Sequence, residues 1–191
     1  MQIIVYGSEG SGKTTQAKML AQKLGVPHLN SGDIVREYAR SDTGSLGEIC
    51  RQALATGHYV ADSDIFILWQ KRLEQTDSAK GWVIDGFPRD LSQIKFLEKK
   101  LKTINKKLDI VFYLTIREKI AIQRLLKRGR RNPDGTLHDT PEIIKERLRR
   151  FKSQTRQVLD FYKKKGILQV IDGEKTIEEI HQDVASRIPQ T

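Results

Sequence analysis

Gly7-Ser8-Glu9-Gly10-Ser11-Gly12-Lys13-Thr14, directly after the β-prone run Ile3-Ile4-Val5-Tyr6, decides the fold. It matches G-x-x-x-x-G-K-[ST] in full. From Thr14 the pattern turns helical, with Ala17, Leu20, Ala21 and Leu24 on one face and Gly25 as the stop. Strand, glycine loop and helix in this order make a phosphate cradle. Glycines let backbone N–H groups turn inward around anionic oxygens, and the helix adds its positive N-terminal end. Lys13 can reach the outer phosphates of a nucleoside triphosphate, and the Thr14 hydroxyl suits Mg²⁺. Gly10, Ser11, Gly12, Lys13, Thr14 and Thr15 are therefore the expected triphosphate-binding positions. The loop alone does not name an acceptor, because GTPases, motor proteins and kinases share it.

Working outward, buried-type runs at 26–30, 82–85, 109–114 and 168–171 read as further strands. Helical patterns separate them, over roughly 92–101, 116–128, 142–165 and 176–188. Thr140-Pro141-Glu142 is a helix start, since proline at the first helical position gives up a donor that has no partner there. This alternation predicts an α/β fold, a five-stranded parallel sheet covered by helices on both faces. Ligands of such sheets sit beyond the carboxyl ends of the strands. The stretches 31–64 and 128–140 project from those ends and are candidate closing lobes of a single domain over 1–191.

The 191 residues are 38% hydrophobic and 30% charged, a globular composition able to bury one core. No apolar run approaches the roughly 20 residues of a membrane-spanning helix. The start Met1-Gln2-Ile3-Ile4 has no signal-peptide character, so a cytoplasmic protein is expected. The single cysteine, Cys50, excludes an internal disulfide and a multi-cysteine metal site. The net charge of +10 raises nucleic acid as a partner. Runs such as Lys163-Lys164-Lys165 nevertheless read as solvated helix faces, without the interleaved aromatics that stack unpaired bases. The same charge would steer a small anionic ligand.

Ser31-Gly32-Asp33-Ile34-Val35-Arg36 follows the second strand, and Asp85-Gly86-Phe87-Pro88-Arg89 ends the third, with Gln93 close behind. Arg36 and Arg89 present planar forks that grip a phosphate bidentately, although surface ion pairs would also account for them. Asp85 closes an apolar strand, where a carboxylate needs partners. It reads as an outer-shell Mg²⁺ residue or as a buried partner for a backbone donor or Lys13. Asp33 is a candidate N-cap for a helix starting near Ile34.

With these segments in place the chain resembles the adenylate kinases, within the nucleoside monophosphate kinases, nearly end to end. The resemblance implies that Ser31, Gly32, Arg36, Tyr59, Val60, Gly86, Arg89, Gln93 and Arg147 bind AMP. Gln93 would hydrogen-bond the acceptor base and Ser31 would offer it a hydroxyl. Pyrimidine-specific relatives tend to carry asparagine and alanine at those two positions, so AMP is expected. Gly57-His58-Tyr59-Val60-Ala61-Asp62 would close the acceptor pocket, with Ala61 where proline is usual and His58 an exposed loop residue. Asp33 gains a place near the metal's waters, and Gly173 would line the donor base unless it is only a strand-end turn.

Arg124 and Arg128 lie four residues apart, hence on one helix face. By resemblance the first stacks on the ATP base and the second meets the transferring phosphates; a solvated basic helix is the alternative. The resemblance makes 31–64 the monophosphate lobe and 128–140 a lid. A short lid would carry an arginine, one residue, then two aspartates, where this chain has Thr136-Leu137-His138-Asp139. Losing one preorganised donor commonly costs roughly 10²–10³ in rate. Lowered turnover is the expectation unless Arg130 or Arg131 substitutes, and Thr136→Arg would raise it. His138 stands without cysteines, so no zinc lid is expected.

The activity implied is Mg-dependent phosphoryl transfer from ATP to AMP, giving two ADP by a monomeric enzyme of nucleotide interconversion. Lys13, Arg36, Arg89, Arg124, Arg128 and Arg147 would carry the phosphate charge. A UMP/CMP or other monophosphate kinase is one alternative, and a catalytically weak nucleotide-binding regulatory module is another.

Overall fold

A computed structural model describes residues 1–56, 58–129 and 139–189. Strands β1 (Gln2–Gly7), β2 (His28–Asn30), β3 (Trp82–Asp85), β4 (Ile110–Thr115) and β5 (Leu168–Asp172) form one parallel sheet in the order β2-β3-β1-β4-β5. Around it run α1 (Lys13–Leu24), α2 (Ser31–Ser41), α3 (Ser45–Thr56), α4 (Asp62–Leu73), α5 (Leu91–Thr103), α6 (Glu118–Arg128), α7 (Pro141–Lys164) and α8 (Ile177–Ser186).

Side chains alternate across a strand, and the core divides accordingly. Ile3 and Val5 of β1 face α1 and α8 through Ala17, Leu20, Ile180 and Val184. Ile4 and Tyr6 face the other layer, with Trp69, Leu97 and Tyr162 from α4, α5 and α7. A smaller cluster of Ala121, Leu125, Ile144 and Leu148 joins α6 to α7. Both faces of β1, β3 and β4 are thus buried, which is why these strands read as nearly continuous apolar runs.

The expected strand at 26–30 is shorter, His28–Asn30, because Pro27 precedes it. Thr140 caps α7 with Pro141 in its first turn, as its sequence predicts. The Asp33 cap is corrected. Asn30 accepts from the N–H groups of Gly32 and Asp33, so α2 starts at Ser31 and Asp33 sits in its first turn. Helix α4 carries no sequence expectation of its own, and it begins at Asp62, inside the lobe bounded at 64. Among the described residues no helix is long and apolar enough to cross a membrane.

Candidate active site

The carboxyl ends of β1, β2 and β3 converge on one buried acid. Asp85, fully buried, sits in register with Val5 on one side and Asn30 on the other. Thr14 Oγ1 and Asn30 Nδ2 donate to its two carboxylate oxygens, and His28 Nε2 lies 3.1 Å from Oδ1. An ionised carboxylate only accepts, so His28 carries its proton on Nε2. Burial alone would push the Asp85 carboxyl up, but the bonds from His28, Thr14 and Asn30 outweigh it and hold the group below the usual range. The partners are therefore side chains rather than the backbone donor or Lys13 weighed in sequence. Asn30 has two tasks, capping α2 through Oδ1 and holding Asp85 through Nδ2.

The phosphate loop wraps from β1 to α1. Gly10 and Gly12 both have positive φ, +84° and +87°. Lys13 Nζ turns back 3.4 Å from the Ser8 carbonyl oxygen. Its amine is held below the usual lysine range, first by desolvation, with Asp85 and Glu9 pulling the other way. The Ser11 hydroxyl is buried and has no hydrogen-bond partner among the described residues. The first N–H groups of α1, including that of Thr15, have no intrahelical acceptor and suit an anion.

Arg124 ties this loop to the far side of the sheet. Its Nη1 donates to the carbonyls of Gly10 (3.3 Å) and Gly173 (2.8 Å), and Nη2 to that of Glu174 (3.4 Å). Gly10 and Gly173 are thereby brought together. A Cβ on Gly173 would lie 2.7 Å from the Thr115 carbonyl oxygen, so the turn after β5 admits nothing larger. Arg128 donates to Asp139 Oδ2 at 2.7 Å, and Arg147 to Asp139 Oδ1 at 3.0 Å. The buried Asp139 thus holds both arginines in place, while Arg147 also approaches Glu9 at 3.5 Å. Thr136, His138, Arg130 and Arg131 lie outside the described residues.

A cavity of about 230 Å³ opens beyond β3, lined by Ser31, Gly32, Tyr59, Val60, Arg89 and Gln93 among others. Ser31 Oγ donates to the Gly86 carbonyl at 3.2 Å, leaving its lone pairs. Arg89 donates from Nε to the same carbonyl at 3.0 Å, and its guanidinium lies 4.0 Å from the centre of the Tyr59 ring. The Phe87–Pro88 peptide before it is cis. Arg36 does not line the cavity. It pairs with Asp33 at 2.6 Å on the exposed side of α2, the ion pair weighed in sequence, although its Nη1 would lie 3.2 Å from a Cβ on Gly32. His58 is exposed at the rim.

A narrow space of about 80 Å³ runs from Gly7, Glu9 and Lys13 to Gly86, Arg89 and Tyr59, with Arg147 and Tyr6 also lining it. It joins the phosphate loop to the larger cavity. Burial pushes the Tyr6 phenol up to about 12, so this wall stays neutral.

Sequence reasoning missed Asn30, His28, Glu9, Asp62 and Asp139 as organisers. His28 and Asn30 alternate along β2, so they share a sheet face with Asp85's edge, and that spacing is the signal that could have found them.

The adenylate kinase family model matches residues 5–167. An adenylate kinase of Cyanothece sp. is 39% identical over 189 residues, covering 99% of this chain and 95% of that protein. One from Methanocella arvoryzae is 39% identical with 98% of each covered. One from Archaeoglobus fulgidus is 33% identical with 96% of each covered.

Proposed function

This chain belongs to the adenylate kinase family, and from that premise we infer that it transfers the terminal phosphoryl group of ATP to AMP, yielding two ADP. The observation that carries the inference is the passage between the two sites. Lys13 lines one end, Arg89 the other and Arg147 its wall, so donor and acceptor phosphates would meet in a cation-lined space. Transfer of this kind needs positioning and charge neutralisation rather than a covalent intermediate.

In this reading the loop from Gly10 to Thr15, with Arg124, Arg128 and Gly173, takes ATP. Ser31, Gly32, Tyr59, Val60, Gly86, Arg89 and Gln93 take AMP. Arg36 would have to exchange part of its hold on Asp33 for the AMP phosphate. Arg147, which lines the passage with Lys13 and Arg89, would reach both phosphates. The lobe 31–64 and the stretch 128–140 would close over the nucleotides and exclude water, which otherwise competes as acceptor.

The residues also fit Mg²⁺ bound with ATP. The Thr14 hydroxyl spends its one proton on Asp85 and keeps lone pairs for a hard cation, and Asp85 offers acceptor oxygens for metal-bound water. No group of three His, Cys, Asp or Glu side chains among the described residues could hold a metal alone, so the nucleotide would complete the shell. The cation would supply charge neutralisation on the phosphates. Monomeric action in the cytoplasm on free nucleotides accompanies this reading.

The test mixes purified protein with ATP, Mg²⁺ and AMP and follows ADP, beside a Lys13→Ala control. ADP at catalytic rates, absent from the control, is the expected result. ATP binding without AMP-dependent turnover would overturn the inference.

A further inference from the structure

Gln93 lies in the first turn of α5, and its side chain is held at both ends. Its Oε1 accepts the Arg89 backbone N–H at 2.8 Å, and its Nε2 donates to Asp62 Oδ1 at 2.8 Å. These partners are single-purpose: a backbone N–H only donates and a carboxylate only accepts. Turning the amide over would set oxygen against oxygen at Asp62 and N–H against N–H at Arg89. Two bonds would become two repulsions. The amide therefore has one orientation, and Asp62 supplies the charged half of the lock.

We propose that Asp62, through Gln93, makes the acceptor site select purine monophosphates with a 6-amino group over those with a 6-oxo group. The proposal rests on reading the larger cavity as the acceptor site, which both side chains line. An amide oxygen has two lone pairs and its nitrogen two hydrogens, so one of each remains. A fixed acceptor beside a fixed donor matches the amino N–H and the N1 lone pair of adenine. A 6-oxo purine presents the reverse, a carbonyl oxygen and an N1–H, which only the overturned amide could meet. A glutamine without these partners would turn over freely and accept either base.

Asp62 is itself fixed. It occupies the first turn of α4, where the helix end favours a carboxylate, and the Ser92 hydroxyl donates to its other oxygen. Asp62 is thus a positioning residue that acts through Gln93. Cytosine presents the same donor and acceptor as adenine, so CMP does not probe the lock. IMP does, because it differs from AMP only at the 6-position and N1.

The experiment measures kcat and KM for AMP and IMP, and their binding by calorimetry, on the unmodified protein and on Asp62→Asn. The substituted amide can offer its own N–H to Gln93, permitting the overturned state. The AMP-to-IMP ratio of kcat/KM should fall about tenfold, the factor commonly contributed by one bond of a bidentate pair. The change should appear in KM and in affinity more than in kcat. Ser92→Ala leaves the carboxylate on Gln93 and should keep the ratio. If Asp62→Asn does not fold, Asp62→Ser, whose hydroxyl can meet either end of the amide, should give the same fall. AMP turnover with a ratio unchanged within about twofold would overturn the proposal and leave the acceptor site standing. Absence of AMP binding and turnover in the unmodified protein would overturn both.

Discussion

Two glycines of the phosphate loop separate conformational need from crowding. Gly12 has φ +87° and ψ 7° at the head of α1. A Cβ built there meets no atom of the described residues within 4 Å. Gly10 has nearly the same φ, +84°, but its Cβ would lie 2.9 Å from the Ala121 carbonyl oxygen and 3.1 Å from Ala121 Cα. Gly12→Ala should therefore lose only the left-handed term, about 1–2 kcal/mol. Gly10→Ala adds a collision with helix backbone, which cannot rotate aside, at about 1–3 kcal/mol more. The expected losses are about 1–2 and about 2–5 kcal/mol, read from urea unfolding midpoints. Nucleotide binding should rank differently. The empty side of Gly12 is where the cradle would seat phosphate, so a methyl group there should weaken ATP at least about tenfold despite the smaller stability loss. Calorimetry with ATP reads this directly. Equal destabilisation by the two variants would refute the contact argument, and unchanged ATP affinity in Gly12→Ala would refute the seating of phosphate.

Further outcomes follow from the same geometry. Arg89→Lys removes the planar fork that bonds the Gly86 carbonyl and stacks on Tyr59. Its kcat/KM for AMP should drop about 10²-fold, and a value within about threefold of the parent would count against the phosphate-grip role. Asp85 has a carboxyl held below its usual range, so it contributes stability above the unfolded value near about 3.9. That contribution disappears as pH falls through the folded value. Asp85→Asn, compared in metal-free buffer at neutral and acid pH, should close its stability gap with the parent as pH drops; a constant gap would refute this. Ala61, the N-cap of α4, already has φ −59°, the value proline enforces. Ala61→Pro should stabilise the chain by about 0.4–1 kcal/mol in urea unfolding, and a loss of stability would show that its N–H is needed.

The phosphate loop and the strand order are legible in sequence because their information is local. Gly7 to Thr14 is one contiguous motif, and the central strands β1, β3 and β4 announce themselves by apolar runs buried on both faces. Gln93 and Arg89 are legible as a pair because they share one segment. Their partners are not. Asp62 reaches Gln93 across 31 positions, Asn30 reaches Asp85 across 55, and Arg124 reaches Gly10 across 114. Such contacts depend on which strand ends meet, and that is set by the order β2-β3-β1, in which β3 lies between β1 and β2 although it follows both in the chain. The cap at Asn30 was hidden for a related reason. Asparagine and aspartate are similar caps by type, and only the β2–β3 register shows that Asn30 must end its strand beside Asp85.

What no single segment reveals is that each site arginine already has a partner. Arg36 holds Asp33, Arg89 a carbonyl and an aromatic face, Arg124 three carbonyls, and Arg128 and Arg147 share Asp139. Like charges crowded around one passage repel, and a chain of net charge +10 gains little from the rest of its surface to offset that. Carboxylates and carbonyls beside each guanidinium relieve the repulsion. They also fix side chains that would otherwise lose rotamer freedom on binding. Because a guanidinium has five donors, most of these bonds can persist while phosphate takes the remainder. Arg36 is the exception in placement, since its partner holds it outside the larger cavity. It is therefore the arginine whose engagement requires giving up part of its hold on Asp33, and the one whose replacement should affect AMP binding while leaving ATP binding in place.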